Sequence, residues 1–475
     1  MARIGEHAVV LGAGMSGLLA ARVLRDHFDR VTVLERDALP EGPEARKGVP
    51  QGRHVHGLLP RGKDLLEEFF PGLAADLLAA GAVDCDVLGE VGFQMAGRTL
   101  ARVSTGYRGL QASRPHLEHH VRRRVRALAG VTIRERCVAT GVVADPSRTR
   151  VTGVEVRDEH GAHTLAADLV VASTGRGGVV PAWLDALGYP RPREEGTAID
   201  IVYRSAFVEL EPGALGTDKS VTVGVRELPP RALAVFAVEG RNRYVLTAIG
   251  HAGEQPPAEP AAFLDFAARI APAAVRGPLR RAELLTDIST FRYKANLRRR
   301  YERLDRFPAG LLAVGDGLCS FSPVYGQGMT VAAIQARVLQ RCLTAGDRDL
   351  ARRFYAAVTP EIDTAWQLTV IADSAMPHVG PHPDPLIRAA VAALDPVLAA
   401  AQRDPVVAAT LYRVMGLTRR PVALIRPDIV ARITIGAART LGEEAIASAG
   451  ARGAALVDRL LGTGQVTVKP PAGSA

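Results

Sequence analysis

Apolar positions along the chain come first as short continuous runs and later as alternations. Residues 8–12 (AVVLG) and 31–35 (VTVLE) are apolar runs too short for helices. Between them, 15–25 (MSGLLAARVLR) repeats apolar residues at helical spacing. Continuous runs fit strands buried on both faces, so the pattern predicts a strand–turn–helix–strand unit opening a parallel sheet. Residues 36–62 show no periodicity and are rich in Gly, Pro, Arg and His. A loop of that length in a folded protein is expected to be functional. The spacing then predicts a helix over 63–81, short strands within 83–103, and a basic amphipathic helix over 116–128. Further strands follow at 131–134, 138–144, 151–157 and 168–172.

From 199 to 250 the pattern changes. Alternation dominates (IDIVYRSAFVEL, SVTVGV, LAVFAVEG, RYVLTAIG), which predicts an antiparallel sheet with one covered face. Helical spacing returns at 261–276 and 281–285. The apolar run 310–316 reads as a strand rejoining the first sheet, with a helix opening near Met329. From 331 on the pattern is helical, broken at 377–385 and 421–427. The tail after Val468 reads as disordered. The class is therefore α/β. A discontinuous nucleotide domain (1–82, 104–190, 286–350) is interrupted by a β-rich unit (83–103, 191–285) and followed by a helical C-terminal region (351–475). The apolar faces at 384–468 are expected to close a pocket, ahead of binding a partner or a membrane.

Composition narrows the partners. The chain has 475 residues and a formal charge of +9, and its hydrophobic fraction of 47% is ordinary for a globular protein. Its basic residues are almost all arginines, clustered at 122–124 and 298–300 without interleaved aromatics. These clusters read as solvated faces, and no nucleic-acid partner is expected. The cysteines (Cys85, Cys137, Cys319, Cys342) lie far apart with no metal spacing, so no metal is expected and a reducing cytoplasm fits. No leader-like segment opens the sequence, and no run is long and apolar enough for a transmembrane helix.

Two stretches carry chemistry. "GAGMSG" places Gly12, Ala13, Gly14, Met15, Ser16 and Gly17 between a strand and a helix. The glycines serve, in turn, a tight turn, a close approach to a pyrophosphate and close helix–strand packing. Glu35 ends the next strand, where an acid hydrogen-bonds an adenosine ribose and favours a free 2′-hydroxyl. That leaves FAD or NAD rather than NADP. The second stretch, "VGDG…SPVYGQGM" at 314–329, aims another turn and helix start at the same region. An extended FAD needs such a second element, and a simple NAD site does not.

With these stretches in place, the sequence resembles the flavoprotein monooxygenases of the p-hydroxybenzoate hydroxylase fold. Within them it is most similar to bacterial flavin epoxidases and hydroxylases of polyketide and terpene tailoring, and more distantly to squalene epoxidase. The resemblance implies a Rossmann-type FAD-binding domain with an inserted antiparallel substrate domain. It implies that Asp316 binds the ribityl chain, and that Pro323, Gly326, Gln327, Gly328 and Met329 face the flavin. It further implies that the loop "RKGVPQGRHVHGLL" runs beside the ring with Arg46, Gly48 and Val49, and that Arg114 contacts FAD. Arg36 and Val138 count among the cofactor contacts on the same ground. The implied reaction inserts one oxygen atom of O₂ into a hydrophobic natural-product intermediate through a flavin C4a-hydroperoxide, by epoxidation or hydroxylation. No side chain is assigned as catalyst. The alternative on the same fold is a flavin-dependent reductase or dehydrogenase of a prenyl or polyene substrate, and a non-catalytic flavin-binding partner protein ranks below it.

Departures from the family refine this picture. Thr174-Gly175 stands where the family commonly has Asp-Gly, so electrons come either from NAD(P)H or from a separate flavin reductase. The tryptophan motif of flavin halogenases is absent, since the tryptophans are Trp183 and Trp366, and Lys47 alone does not support that chemistry. His54 and His56 read as a structural pair, and His116, His119 and His120 as exposed helix residues. Ile199, Ile201, Tyr203, Phe236, Val238 and Tyr244 are the expected apolar lining, which suits a bulky, uncharged substrate.

Overall fold

The computed structural model describes residues 3–225 and 227–461, without the side chains of 445–461. The tail after Val468 and the last part of the expected helical region lie outside the described residues. The apolar runs form one parallel sheet in the order Leu311–Ala313, Leu169–Ala172, Gly5–Leu11, Phe28–Leu34, Val131–Arg134. Ala8, Val9, Val10, Val170, Val171, Leu311 and Leu312 have no exposed surface, which is why these strands show no alternation. Helix Met15–Leu24 covers the sheet and packs on helix Gly328–Thr344. The chain's first and last sheet strands thus bring two helix starts to one end of the sheet. Strands Val138–Ala144 and Val151–Asp158 do not join this sheet. With Gly161–Ala166 they form a separate antiparallel meander.

The alternating region builds an eight-stranded sheet in which strand Ala198–Glu209 pairs with Arg243–His251 on one side and with Ser289–Ala295 and Glu283–Leu284 on the other. One face buries Ala206, Val208, Leu233, Val235, Leu246 and Ala248 against helices Pro260–Ile270 and Ala273–Arg280. The other face buries Ile199, Ile201, Tyr203, Ala232 and Ile249 together. Tyr244 packs on the first face, so it is not part of a wall with Tyr203. Of the 83–103 segment, Val91–Met95 and Arg98–Thr99 join this sheet, whereas Val83–Asp86 pairs with Arg108–Gln111.

Several boundaries differ from the pattern for local reasons. The 63–81 helix is two helices, Pro60–Phe69 and Leu73–Ala79, broken at Pro71-Gly72 where Gly72 has φ +81°. Pro272 splits 261–276, and residues Glu283–Leu284 of the expected 281–285 helix pair as a strand with Val208-Glu209. The C-terminal helices Pro385–Ala401 and Pro405–Met415 pack Val397, Leu398, Val407 and Leu411 against Leu88 and Leu100. The Ala101 amide donates to the Ala401 carbonyl at 2.8 Å. These helices therefore shield the edge of the eight-stranded sheet, an edge that would otherwise offer unpaired backbone groups. Among the described residues no helix is long and apolar enough to cross a membrane, and no cluster of metal-binding side chains occurs.

Most of the clustered arginines are not solvated, although Arg123 is exposed. Arg122, Arg298 and Arg299 are 3%, 2% and 5% exposed. Arg298 pairs with Asp363 at 2.5 Å, and Arg300 with Glu195. Arg299 pairs with Glu194 at 2.8 Å and donates from Nη1 to the carbonyls of Arg176 (3.0 Å) and Gly317 (3.1 Å). It thereby ties the loop after Leu169–Ala172 to the loop after Leu311–Ala313. Arg299→Ala leaves both carbonyls without this donor and is expected to destabilise the fold by about 2–3 kcal/mol. The check is a lower urea midpoint with an unchanged slope; an unmoved midpoint would mean the two loops need no tie.

Candidate functional site

The first helix start is shaped by what its glycines touch. Gly12 has φ +96°, and a Cβ there would sit 2.5 Å from the Ser173 carbonyl oxygen. A Cβ on Gly17 would sit 1.9 Å from the Gly12 carbonyl oxygen. Both glycines are demanded by the chain itself. Gly14 differs: a Cβ there would meet nothing within 4 Å. It caps helix Met15–Leu24 without a side-chain bond, so the first helical N–H groups point into open space. That is a cradle for an anion.

Glu35 ends strand Phe28–Leu34 and accepts from the Ala13 amide at 2.9 Å and the Asp37 amide at 3.1 Å. Arg46 reaches it at 3.0 Å and uses its Nε on Glu118, also at 3.0 Å. Glu118 further takes Arg114 at 3.2 Å and Arg122 at 4.0 Å. Arg122 donates in addition to the carbonyls of Pro40 and Gly42. Burial disfavours the Arg46 charge, but Glu118 and Glu35 outweigh it and hold the guanidinium above its ordinary range. Gly48 lies beside this network, where a Cβ would sit 2.0 Å from Asp37 Oδ2, the movable end of a side chain. Val49 is buried, Arg36 is exposed, and Val138 is 45% exposed next to Cys137, whose amide donates to the Glu35 carbonyl. Glu118 was missed in the sequence. Its signal is the i, i+4 series Arg114–Glu118–Arg122 on one helix face. His116 and His120 on that helix are buried rather than exposed, and burial pushes the His120 ring down to about 4.

The second turn leans on the first. Gly315 has φ +66°, its Cβ position is 2.6 Å from Ser16 Oγ, and its amide donates to Gln335 Oε1 at 2.6 Å. Asp316 follows, partly buried. Burial raises its carboxyl above the ordinary range against the pull of Arg114 and Arg176. Pro323–Tyr325 make a single 3₁₀ turn, Gly326 adopts φ +64°, and the helix opens at Gly328, one residue before the expected Met329. Gly328, like Gly14, faces open space. Met329 is core, and Gln327 is buried with its Oε1 accepting from Thr369 at 3.1 Å. Arg176, unmarked in the sequence, donates to the Tyr293 hydroxyl at 3.1 Å and stands 5.0 Å over its ring. Thr174 is exposed.

The loop before helix Pro60–Phe69 enters the inserted sheet. His54 Nδ1 lies 2.7 Å from Ser205 Oγ, which lies 2.7 Å from Thr247 Oγ1, and that hydroxyl accepts from the Val55 amide. Burial pushes His54 down to about 4. Burial and nearby Arg114 push His56 to about 3. Both rings are neutral near pH 7, as a structural pair would be. Two open helix starts, an acid at each strand tip, and a long loop between them fit an extended dinucleotide such as FAD.

A model of the FAD binding domain family matches residues 6–352. The Mycobacterium tuberculosis protein Rv3254 is 37% identical over 426 residues, covering 86% of this chain and 89% of that one. The fold is shared with a flavoprotein/dehydrogenase from Cytophaga hutchinsonii (TM-score 0.66, 14% identity, 92% of this chain and 100% of that one). It is shared also with p-nitrophenol 4-monooxygenase PnpA from Pseudomonas putida (TM-score 0.60, 18% identity, 89% and 100%) and with the flavin-dependent brominase Bmp2 (TM-score 0.60, 15% identity, 94% and 100%).

The glycines separate binding from folding. Gly14→Val fills open space and is expected to fold with a near-native melting temperature yet purify without FAD. Gly17→Val is expected to fail in folding. Yellow Gly14→Val protein would remove the pyrophosphate from this cradle.

Proposed function

Because the chain belongs to the FAD binding domain family, we propose that it is an FAD-dependent monooxygenase, an epoxidase or hydroxylase of a bulky hydrophobic natural-product intermediate. The observation that carries this reading is the apolar wall beside the second turn. Ile199, Ile201, Tyr203, Ala232, Ile249 and Tyr293 are buried as one cluster, and Val324 of the Pro323–Tyr325 turn packs on it. A wall so poor in charge suits an uncharged ligand and excludes water.

The residues divide the work. Gly14 and the first amides of helix Met15–Leu24 would receive the pyrophosphate, with Met15 and Ser16 in that turn. Glu35 would take the adenosine ribose. Asp316 would hold the ribityl chain. The amides of Gly328 and Met329, at the start of the helix, would face the ring. Arg46 and Arg114, fixed by Glu118, would border the cofactor. Bound FAD would supply the redox centre that, once reduced, activates O₂. The chain's own task is to bind, orient and keep the site dry. Neutral His54, tied to Ser205, shapes the wall and holds no exchangeable charge near pH 7. Electrons come from NAD(P)H or a separate flavin reductase, and Thr174 in place of an acid favours the reductase. Halogenation is disfavoured because Lys47 is exposed in the loop.

The deciding measurement is anaerobic reduction of the FAD-loaded protein followed by rapid mixing with O₂ and a panel of alkene and phenolic substrates. The expected outcome is a transient absorbance ahead of the oxidised flavin spectrum, with label from ¹⁸O₂ in the product. Slow, featureless reoxidation with every substrate, and no label transfer, would replace this reading with the reductase or dehydrogenase.

A further inference from the structure

Helix Leu350–Ser374 runs on well beyond residue 352, where the family match ends, and one of its faces grips the second turn. Trp366, Thr369 and Asp373 recur at i, i+3 and i+7, the spacing of a single helical stripe. Trp366 packs its ring on Phe321, centroids 6.3 Å apart. Thr369 Oγ1 donates to Gln327 Oε1 at 3.1 Å. The Tyr325 hydroxyl donates to Asp373 Oδ1 at 2.5 Å. Asn296 Nδ2 donates to the other carboxylate oxygen, also at 2.5 Å. Thr369 and Asp373 have no exposed surface. Three successive contacts thus fix residues 321–327, the segment that ends at the open helix start of Gly328.

Asp373 is an unusual member of this stripe. Its two hydrogen bonds come from neutral donors, and no ion pair joins it among the described residues. Buried acids are normally paired with a cation, because an unpaired buried charge is costly. A hydrophobic pair would hold a helix to a loop at less cost. What the carboxylate adds is direction: it takes the Tyr325 proton along one line and so sets the turn's rotation as well as its distance.

We propose that Asp373 is a positioning residue of the flavin site, which through the Tyr325 hydroxyl sets the Pro323–Gln327 turn and with it the affinity for FAD. The proposal rests on the FAD reading above. It extends the site to a helix outside the family match. Burial pushes the Asp373 carboxyl up to about 6, against the pull of its bonds to Tyr325 and Asn296. Tyr325 from the turn, Asn296 after strand Ser289–Ala295, and Tyr203 from strand Ala198–Glu209 are the groups that face it. Above that pH the ionised carboxylate takes both donors. As pH falls through it, the proton displaces one of them and the turn loosens.

The test is FAD binding to apoprotein, followed by flavin fluorescence, with melting temperature and circular dichroism as controls. Tyr325→Phe and Asp373→Ala are expected to fold and to bind FAD roughly tenfold more weakly, the scale of a lost charge-assisted hydrogen bond. Asp373→Asn is expected to bind FAD at every pH as weakly as the wild type does once its carboxyl is protonated. Like the protonated acid, its amide keeps one oxygen for Tyr325 and sets an N–H against the Asn296 Nδ2 donor. Wild-type affinity is expected to fall below about pH 6, and that of Asp373→Asn to stay level through the same range. Should Asp373→Ala not fold, Tyr325→Phe decides, since it removes one hydroxyl and nothing else. Native FAD affinity in Tyr325→Phe, or identical pH profiles for wild type and Asp373→Asn, would overturn the proposal alone. Wild-type protein that binds no FAD would overturn the cofactor reading and the proposal together.

Discussion

Glu118 is the point on which the site is hung. The loop from 36 to 59 carries only a turn at 46–49 and the 3₁₀ turn Pro50–Arg53, and has few backbone bonds of its own. It is held because Arg46 spans from Glu35, at the tip of a sheet strand, to Glu118 on helix Arg114–Arg126. Glu118 meets Arg46, Arg114 and Arg122, and Arg122 reaches back to the Pro40 and Gly42 carbonyls. Charge is near balance inside the cluster: three arginines face Glu118, Glu35 and the more distant Asp37. Truncating either partner of such a buried pair strands the other in a medium that cannot solvate it. A replacement of Glu118 would strand several charges at once.

The same accounting explains the basic composition. A net +9 spread over arginines reads as solvated faces until the side chains are placed. Many are then spent inside the fold, on carboxylates and on loop carbonyls. A planar guanidinium with five donors can satisfy two or three such acceptors at once, which an ammonium cannot do as well. Arg299 does this between two loops and Arg122 does it beneath a third. Arginine here substitutes for regular secondary structure wherever a functional loop must be both irregular and fixed.

The legible part of this protein was the part whose function is carried by local spacing. Gly12, Gly14 and Gly17, with Glu35 after the next strand, announce a dinucleotide turn because each role depends on a neighbour a fixed number of residues away. The helix start within 314–329 was placed to within one residue by the same local spacing, whereas the roles of Asp316 and Gly326–Met329 rested on the family resemblance. The structure separates the glycines along the same lines: Gly12 and Gly17 answer to the chain's own backbone, Gly48 borders the Asp37 side chain, and Gly14, like Gly328, faces open space. What stayed hidden depends on distant partners. Burial of Arg298 and Arg299 requires Asp363 and Glu194, and nothing local distinguishes such arginines from solvated ones. The misplacement of Tyr244 has another cause. Alternation says which residues of one strand share a face, but not which face of the neighbouring strand lies beside them, since that is set by register.

The C-terminal helices extend that lesson to the architecture. An apolar periodic tail after a nucleotide domain invites a lid; helices Pro385–Ala401 and Pro405–Met415 cover the sheet edge, while helix Leu350–Ser374 packs on the main core and reaches the second turn through Trp366, Thr369 and Asp373. A turn such as 323–327 cannot be rigid by itself. It has one 3₁₀ turn, a left-handed Gly326 and no ladder, and the helix that follows restrains only its last residues. A neighbouring helix must therefore supply the remaining restraint, and it does so at i, i+3 and i+7. The restraint lies outside the region that defines the family because many stripes of side chains would serve the same end. The glycine turn admits far fewer solutions, since its geometry is dictated by a ligand and by backbone approach rather than by packing.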